Sequence, residues 1–159
     1  MMHRFVATAV AVFLCGLPTL NAQAQTAQAE NVFKPSERAV TLFYQGQMFA
    51  QQGKFDKAID AYLQAVALEP KYTQARLSLA ILYGKAKQYD KALKEIAVIQ
   101  KLNPKDFLSY KVQGLLLEDS KSPAAAADAF EMYLKLAPAQ QVKDAEELMQ
   151  RIDSLRKGA

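Results

Sequence analysis

Side chains able to do redox or nucleophilic chemistry are scarce in this chain. Its one histidine is His3 and its one cysteine is Cys15, so both fall in the first fifteen of 159 residues, and tryptophan is absent. A thiolate is the usual nucleophile, disulfide partner and soft metal ligand. Imidazole is the commonest zinc and haem ligand and the base of Ser/His/Asp triads. If the first two dozen residues are removed, all of that chemistry leaves with them. Carboxylates and lysines remain, and an enzyme would need an acid–base pair such as Glu118 with Asp119 at the loop. Adjacent exposed acids are ordinarily just solvated, so the sequence points away from an enzyme. It indicates no catalytic residue, no metal site and no cofactor.

The first residues have the layout of an export signal. Met1-Met2-His3-Arg4 is a short basic start, and 11 of the 13 residues from Phe5 to Leu17 are apolar. Pro18 breaks the run, and Asn21-Ala22-Gln23-Ala24 offers small residues at the spacing a signal peptidase reads. Residues 1–24 are therefore expected to be a signal peptide cut between Ala24 and Gln25, with Ala27-Gln28-Ala29 as a fallback. A membrane span needs about 20 apolar residues, more than this run supplies. Lipidation at Cys15 is disfavoured because Phe13 and Leu14 are bulky where small residues are required. The expected location is the periplasm; an uncut signal would leave the protein membrane-anchored, and release would make it secreted. Cleavage leaves 135 residues without Cys, His or Trp.

What the remaining residues build is legible from composition and spacing. Apolar residues make up 51% and charged residues 23%, the balance of a folded chain. Alanine occupies 27 positions against six each for Gly and Pro, which favours helix. Pro70, Pro104 and Pro138 are 34 residues apart. Alignment on them gives repeats at 39–72, 73–106 and 107–140, with shared columns at Leu68/Leu102/Leu136, Ala58/Ala92/Ala126 and Tyr62/Ile96/Phe130. Further upstream, Gly46/Ala80/Gly114 form a small-residue column and Phe49/Tyr83/Leu117 a large one. Leu42, Gln45, Gly46 and Phe49 fall on one helical face, and so do Ala58, Tyr62, Ala65 and Leu68. Each repeat thus predicts two helices, close together at the small column, with Pro at the helix boundary. Ser122-Pro123 predicts an N-cap and first-turn proline.

These columns resemble the tetratricopeptide repeat (TPR) family, whose pattern runs Trp-x2-Leu-Gly-x2-Tyr, then Ala-x3-Phe-x2-Ala, then Pro. The first repeat matches with Leu42, Gly46, Phe49, Ala58, Tyr62, Ala65 and Pro70. The second matches with Leu79, Ala80, Tyr83, Tyr89, Ala92 and Pro104, but has Arg76 at the Trp position and Ile99 at the second Ala. The third matches with Tyr110, Gly114, Ala126, Phe130, Leu136 and Pro138, with Pro123 where an aromatic is usual. The resemblance implies an all-α, right-handed α-solenoid of three helix-turn-helix repeats. Residues 25–38 read as a linker leading into a helix near Pro35-Ser36-Glu37. Residues 141–159 read as a capping helix and tail, with Val142, Ala145, Leu148, Met149, Ile152 and Leu155 as its apolar stripe.

In this family the first helix of each pair lines a concave groove. Transferred to this chain, the groove positions are Val40, Phe43, Tyr44 and Gln47, then Gln74, Leu77 and Ile81, then Leu108, Lys111, Val112 and Leu115. Such a lining suits the apolar face of a helix or extended peptide. Some relatives clamp a peptide carboxylate with Lys and Asn where this chain has Phe43 and Gln47, and with basic residues where it has Leu108 and Val112. That clamp is missing here. The resemblance implies a non-catalytic adaptor for a protein or peptide partner, with a self-associating homodimer within an envelope assembly as the alternative. Repeat 73–106 carries seven Lys/Arg against three Asp/Glu, a net +4, with Lys87, Lys91, Lys94 and Lys101 on the convex side. Spaced lysines fit a solvated face; nucleic-acid binding is not expected, and membrane contact is expected only through this face or an uncut signal.

Overall fold

The computed structural model describes residues 33–142 and 144–158. The expected signal, its cut at Ala24–Gln25 and residues 25–32 lie outside the described residues. Within them the chain forms seven α-helices and one 3-10 turn. They are α1 (Glu37–Gln51), α2 (Phe55–Leu68), α3 (Thr73–Lys85), α4 (Tyr89–Leu102), α5 (Phe107–Asp119), α6 (Pro123–Leu136), the turn Ala139–Gln141, and α7 (Ala145–Lys157). α1, α3 and α5 each pack on the helix that follows, each pair packs on the next, and α7 packs on α6. The result is the all-α helical repeat the 34-residue period predicts, with Pro70, Pro104 and Pro138 in the connections.

The helix pairs close because their residues are matched in size. A Cβ placed on Gly46 would lie 2.5 Å from the Tyr62 ring, and one on Gly114 would lie 2.5 Å from the Phe130 ring. Only glycine permits an aromatic ring so near the neighbouring backbone. In the middle pair the small residue is Ala80 and its column partner is Ile96, both wholly buried in one cluster. Tyr62, Tyr72 and Tyr83 are buried, and desolvation is the leading cause that raises each phenol above its ordinary value. They therefore act as neutral packing groups.

Each pair turns on a residue with left-handed backbone: Gly53 (φ 72°), Lys87 (φ 58°) and Lys121 (φ 61°). All three occupy the fifteenth position of their repeat, a column that Gly53 alone hints at in the sequence. The turn is a Schellman closure. The Lys54 N–H donates to the Phe49 carbonyl at 2.9 Å, Gln88 to Tyr83 at 2.8 Å and Ser122 to Leu117 at 2.8 Å.

Several sequence expectations shift in detail. Arg76, which stands at the family's Trp position, replaces apolar packing with an ion pair. Its Nη1 lies 2.6 Å from Glu95 Oε2, and its Nε donates to the Pro70 carbonyl at 2.8 Å, tying α3 to α4 and to the preceding loop. Ser122 does stand at the N-cap of α6, but its side chain makes no capping bond. Asp106 caps instead at α5, accepting from the Leu108 N–H at 3.1 Å. Leu68 and Leu102, expected on the packed face, end their helices exposed.

The two ends of the array differ. At the C-terminal end, Ile152 is 5% exposed and packs with Ala126, Ala127 and Phe130, flanked by Leu148 and Leu155. The cap is pinned by Arg151 to Glu118 at 2.7 Å and by Arg156 to Asp128 and Glu131 at 3.0 and 2.7 Å. Met149 belongs to the expected stripe but lies on the open side of α7, because it neighbours Leu148 and points about 100° away from it. At the N-terminal end, no described helix precedes α1.

Candidate functional site

The odd-numbered helices carry the expected groove residues, and the structure sorts them by depth. Phe43, Leu77 and Val112 are half-buried and packed against the central cluster. Phe43 sits between aromatic neighbours, with ring centroids 5.7 Å from Tyr62 and 5.3 Å from Tyr72. These three side chains join the repeats to one another. Val40 and Gln47 are also half-buried.

Gln74, Ile81, Leu108, Lys111 and Leu115 are open to solvent. Ile81 is 41% exposed, Leu108 45% and Leu115 40%. Ile81 and Leu115 occupy the same position in α3 and α5, two helices that touch directly. They form an apolar strip that continues along α5 to Leu108, one helical face being shared by residues three and four apart. Lys111 borders it, with Nζ 5.4 Å from the centroid of the Tyr133 ring. A cavity of about 320 Å³ beside that lysine is lined by Tyr133, Gln141, Val142, Leu148 and the charged Asp144, Glu147 and Arg151. The strip can take apolar side chains, and its C-terminal end offers charged partners of both signs.

Tyr44 is 58% exposed, and its ring packs edge-on to Phe43 at 5.7 Å. Its column continues as Ser78 and Val112, which face the preceding repeat, so Tyr44 belongs to the end of the array as much as to the groove. Met48, 56% exposed on the same helix, escaped the sequence reading, because its column is filled by buried Leu82 and Leu116 in the later repeats. Glu118, the acid considered for acid–base work, is held by Arg151 and serves the cap. No described helix is long and apolar enough to cross a membrane.

The tetratricopeptide repeat family matches the chain over residues 46–87 (TPR repeat) and 77–141 (Tetratricopeptide repeat). No curated protein matches the sequence. Among solved structures, the first TPR of Spaghetti (RPAP3), bound to the HSP90 peptide SRMEEVD, is similar at TM-score 0.68 and 23% identity, covering 79% of this chain and 99% of that one. The TPR2B domain of yeast Sti1, in complex with an Hsp70 peptide, gives 0.69 and 16%, covering 78% and 100%. The Yersinia enterocolitica type III secretion chaperone SycD, in complex with a peptide of the translocator YopD, gives 0.71 and 16%, covering 77% and 95%. At these identities the likeness is one of fold.

Proposed function

The chain belongs to the tetratricopeptide repeat family, and from that premise we propose that it is a non-catalytic adaptor of the cell envelope. Its groove takes the apolar face of a partner helix or extended peptide. The observation that carries this reading is the exposed strip of Ile81, Leu108 and Leu115 on touching helices. Structural relatives that hold peptides support it. The chemistry of recognition differs from a carboxylate clamp, since the positions that would supply the clamp hold Phe43, Gln47, Leu108 and Val112. Affinity comes from buried apolar area, about 25 cal/mol per Å² before ordering costs.

The periplasmic location rests on residues 1–24, and N-terminal sequencing of the protein from fractionated cells tests it; the expected first residue is Gln25. The groove is tested by Ile81→Asp with Leu115→Asp. Leu77 is unsuitable because it packs against the core. A photocrosslinker at Leu108 should capture one partner, and the double variant should lose it while keeping its helical signal and melting point. Capture unchanged by the double variant removes the groove from the reading.

A further inference from the structure

Four columns of the odd-numbered helices are interfaces inside the array. The third position is Ala75 and Ser109 in α3 and α5, both wholly buried; the tenth is Leu82 and Leu116, both buried. The seventh is Leu79, wholly buried, and Gln113, whose side chain accepts from Gln100 of α4 at 2.8 Å. The sixth is Ser78 and Val112, both half-buried. These columns are covered by the repeat before, by its even-numbered helix and, at Leu116, by Gly84 of its odd-numbered one. In α1 the same columns are Thr41, Met48, Gln45 and Tyr44, and all four are exposed. Gln45 thus repeats the chemistry of Gln113 at a place where no described helix supplies its Gln100.

Beyond Glu37 and Arg38 in the first turn of α1, which cancel, that face is also without charge. From Ala39 to Gly53 the chain has no Asp, Glu, Lys or Arg, although 23% of the whole chain is charged. The other terminal helix, α7, carries Glu146, Glu147, Arg151, Asp153, Arg156 and Lys157. A solvated end is finished with charge, as α7 is; a neutral end displaying Tyr and Met has the composition of a surface that becomes covered.

We propose that the α1 face of Thr41, Tyr44, Gln45 and Met48 is the interface of a two-fold dimer, covered by α1 of a second copy. Head-to-tail stacking is blocked, because the face of α6 that would receive α1 of another copy is filled by Leu148, Ile152 and Leu155 of the cap. A two-fold arrangement sets the same patch against itself, so any net charge there would meet its like. The uncharged stretch from Ala39 to Gly53 meets that requirement, since Glu37 and Arg38 before it cancel, and Tyr and Met pair well with themselves as aromatic and sulfur groups. The proposal leaves the groove strip on α3 and α5 free, so it stands or falls apart from the adaptor reading.

The test is sedimentation velocity on the purified chain, beside Met48→Glu. The native protein should sediment as a concentration-dependent dimer, and Met48→Glu should weaken self-association by roughly a hundredfold, because an unpaired charge would be buried on each side. Met48 is solvent-exposed within one chain, so the variant should keep the native melting point measured at low concentration. In a Cys15→Ser background, Met48→Cys should oxidise to a disulfide-linked dimer, whereas Ala97→Cys on the exposed side of α4 should not. A native monomer at every concentration overturns the proposal, and so does a dimer indifferent to Met48→Glu. The first of those outcomes would assign the face to another partner or to this chain's own N-terminal residues.

Discussion

The first and last described helices of the array have opposite surface chemistry. The last, α7, buries Ile152 against Ala126, Ala127 and Phe130 and carries three arginine ion-pair links back to α5 and α6. The first, α1, buries its inner face through Ala39 and Gly46 and leaves Tyr44 and Met48 open. Repeat arrays gain stability from nearest-neighbour contacts, so an end is either closed by a polar-backed helix or left ready for one. Among the described residues, the C-terminal end is closed and the N-terminal face of α1 is left open. Burial of a column in an array is therefore a property of the neighbour, and the same column can be core in one repeat and surface in another.

The largest effect that would break this comparison is at the cap. Ile152→Asp should cost about 4 kcal/mol by losing apolar burial and setting a carboxylate against Phe130. Tyr44→Asp, at the opposite end, should stay within about 0.5 kcal/mol in dilute solution. Equilibrium urea unfolding of both variants checks this, and equal losses would show that α1 is already covered within one chain.

A middle-sized effect tests whether the two ends share an interior despite their different surfaces. Gly46→Ala and Gly114→Ala each push a Cβ into an aromatic ring at 2.5 Å and should each cost about 2 kcal/mol. Matching losses in thermal melts would place the asymmetry on the outer faces alone; a much smaller loss at Gly46 would mean the N-terminal pair is loosely packed.

The smallest effect concerns the turns. Lys87→Gly and Lys121→Gly relieve left-handed backbone and should gain about 0.5–1 kcal/mol each, while Gly53→Ala should lose about 1 kcal/mol. Gains confined to the internal turns would sharpen the contrast by showing that the first pair already has the better turn residue. Chemical unfolding midpoints report all three.

Much of this was legible in the sequence because it depends on periodicity within a repeat. Pro70, Pro104 and Pro138 give the period, and the Gly46 and Ala58 columns mark where two helices meet. Depth was less legible for Leu77 and Ile81. They are one helical turn apart, and about 40° of rotation separates packing from solvent. Tyr44 and Met48 were obscure for a different cause, since nothing in their own repeat says whether a neighbour exists. Arg76 reads as a departure from the family pattern until Glu95 and the Pro70 carbonyl are seen together.

The size matching inside each pair determines what can be exchanged between repeats. Gly46 belongs with Tyr62, Gly114 with Phe130, and Ala80 with Ile96. Grafting α1 onto α4 would leave a hole where Ile96 is smaller than a ring, and grafting α3 onto α6 would drive the Ala80 methyl into Phe130. The heritable module of this protein is thus the 34-residue pair. Recombination or engineering that cuts at the prolines preserves the fit, and a cut at Gly53, Lys87 or Lys121 separates partners that were sized for each other.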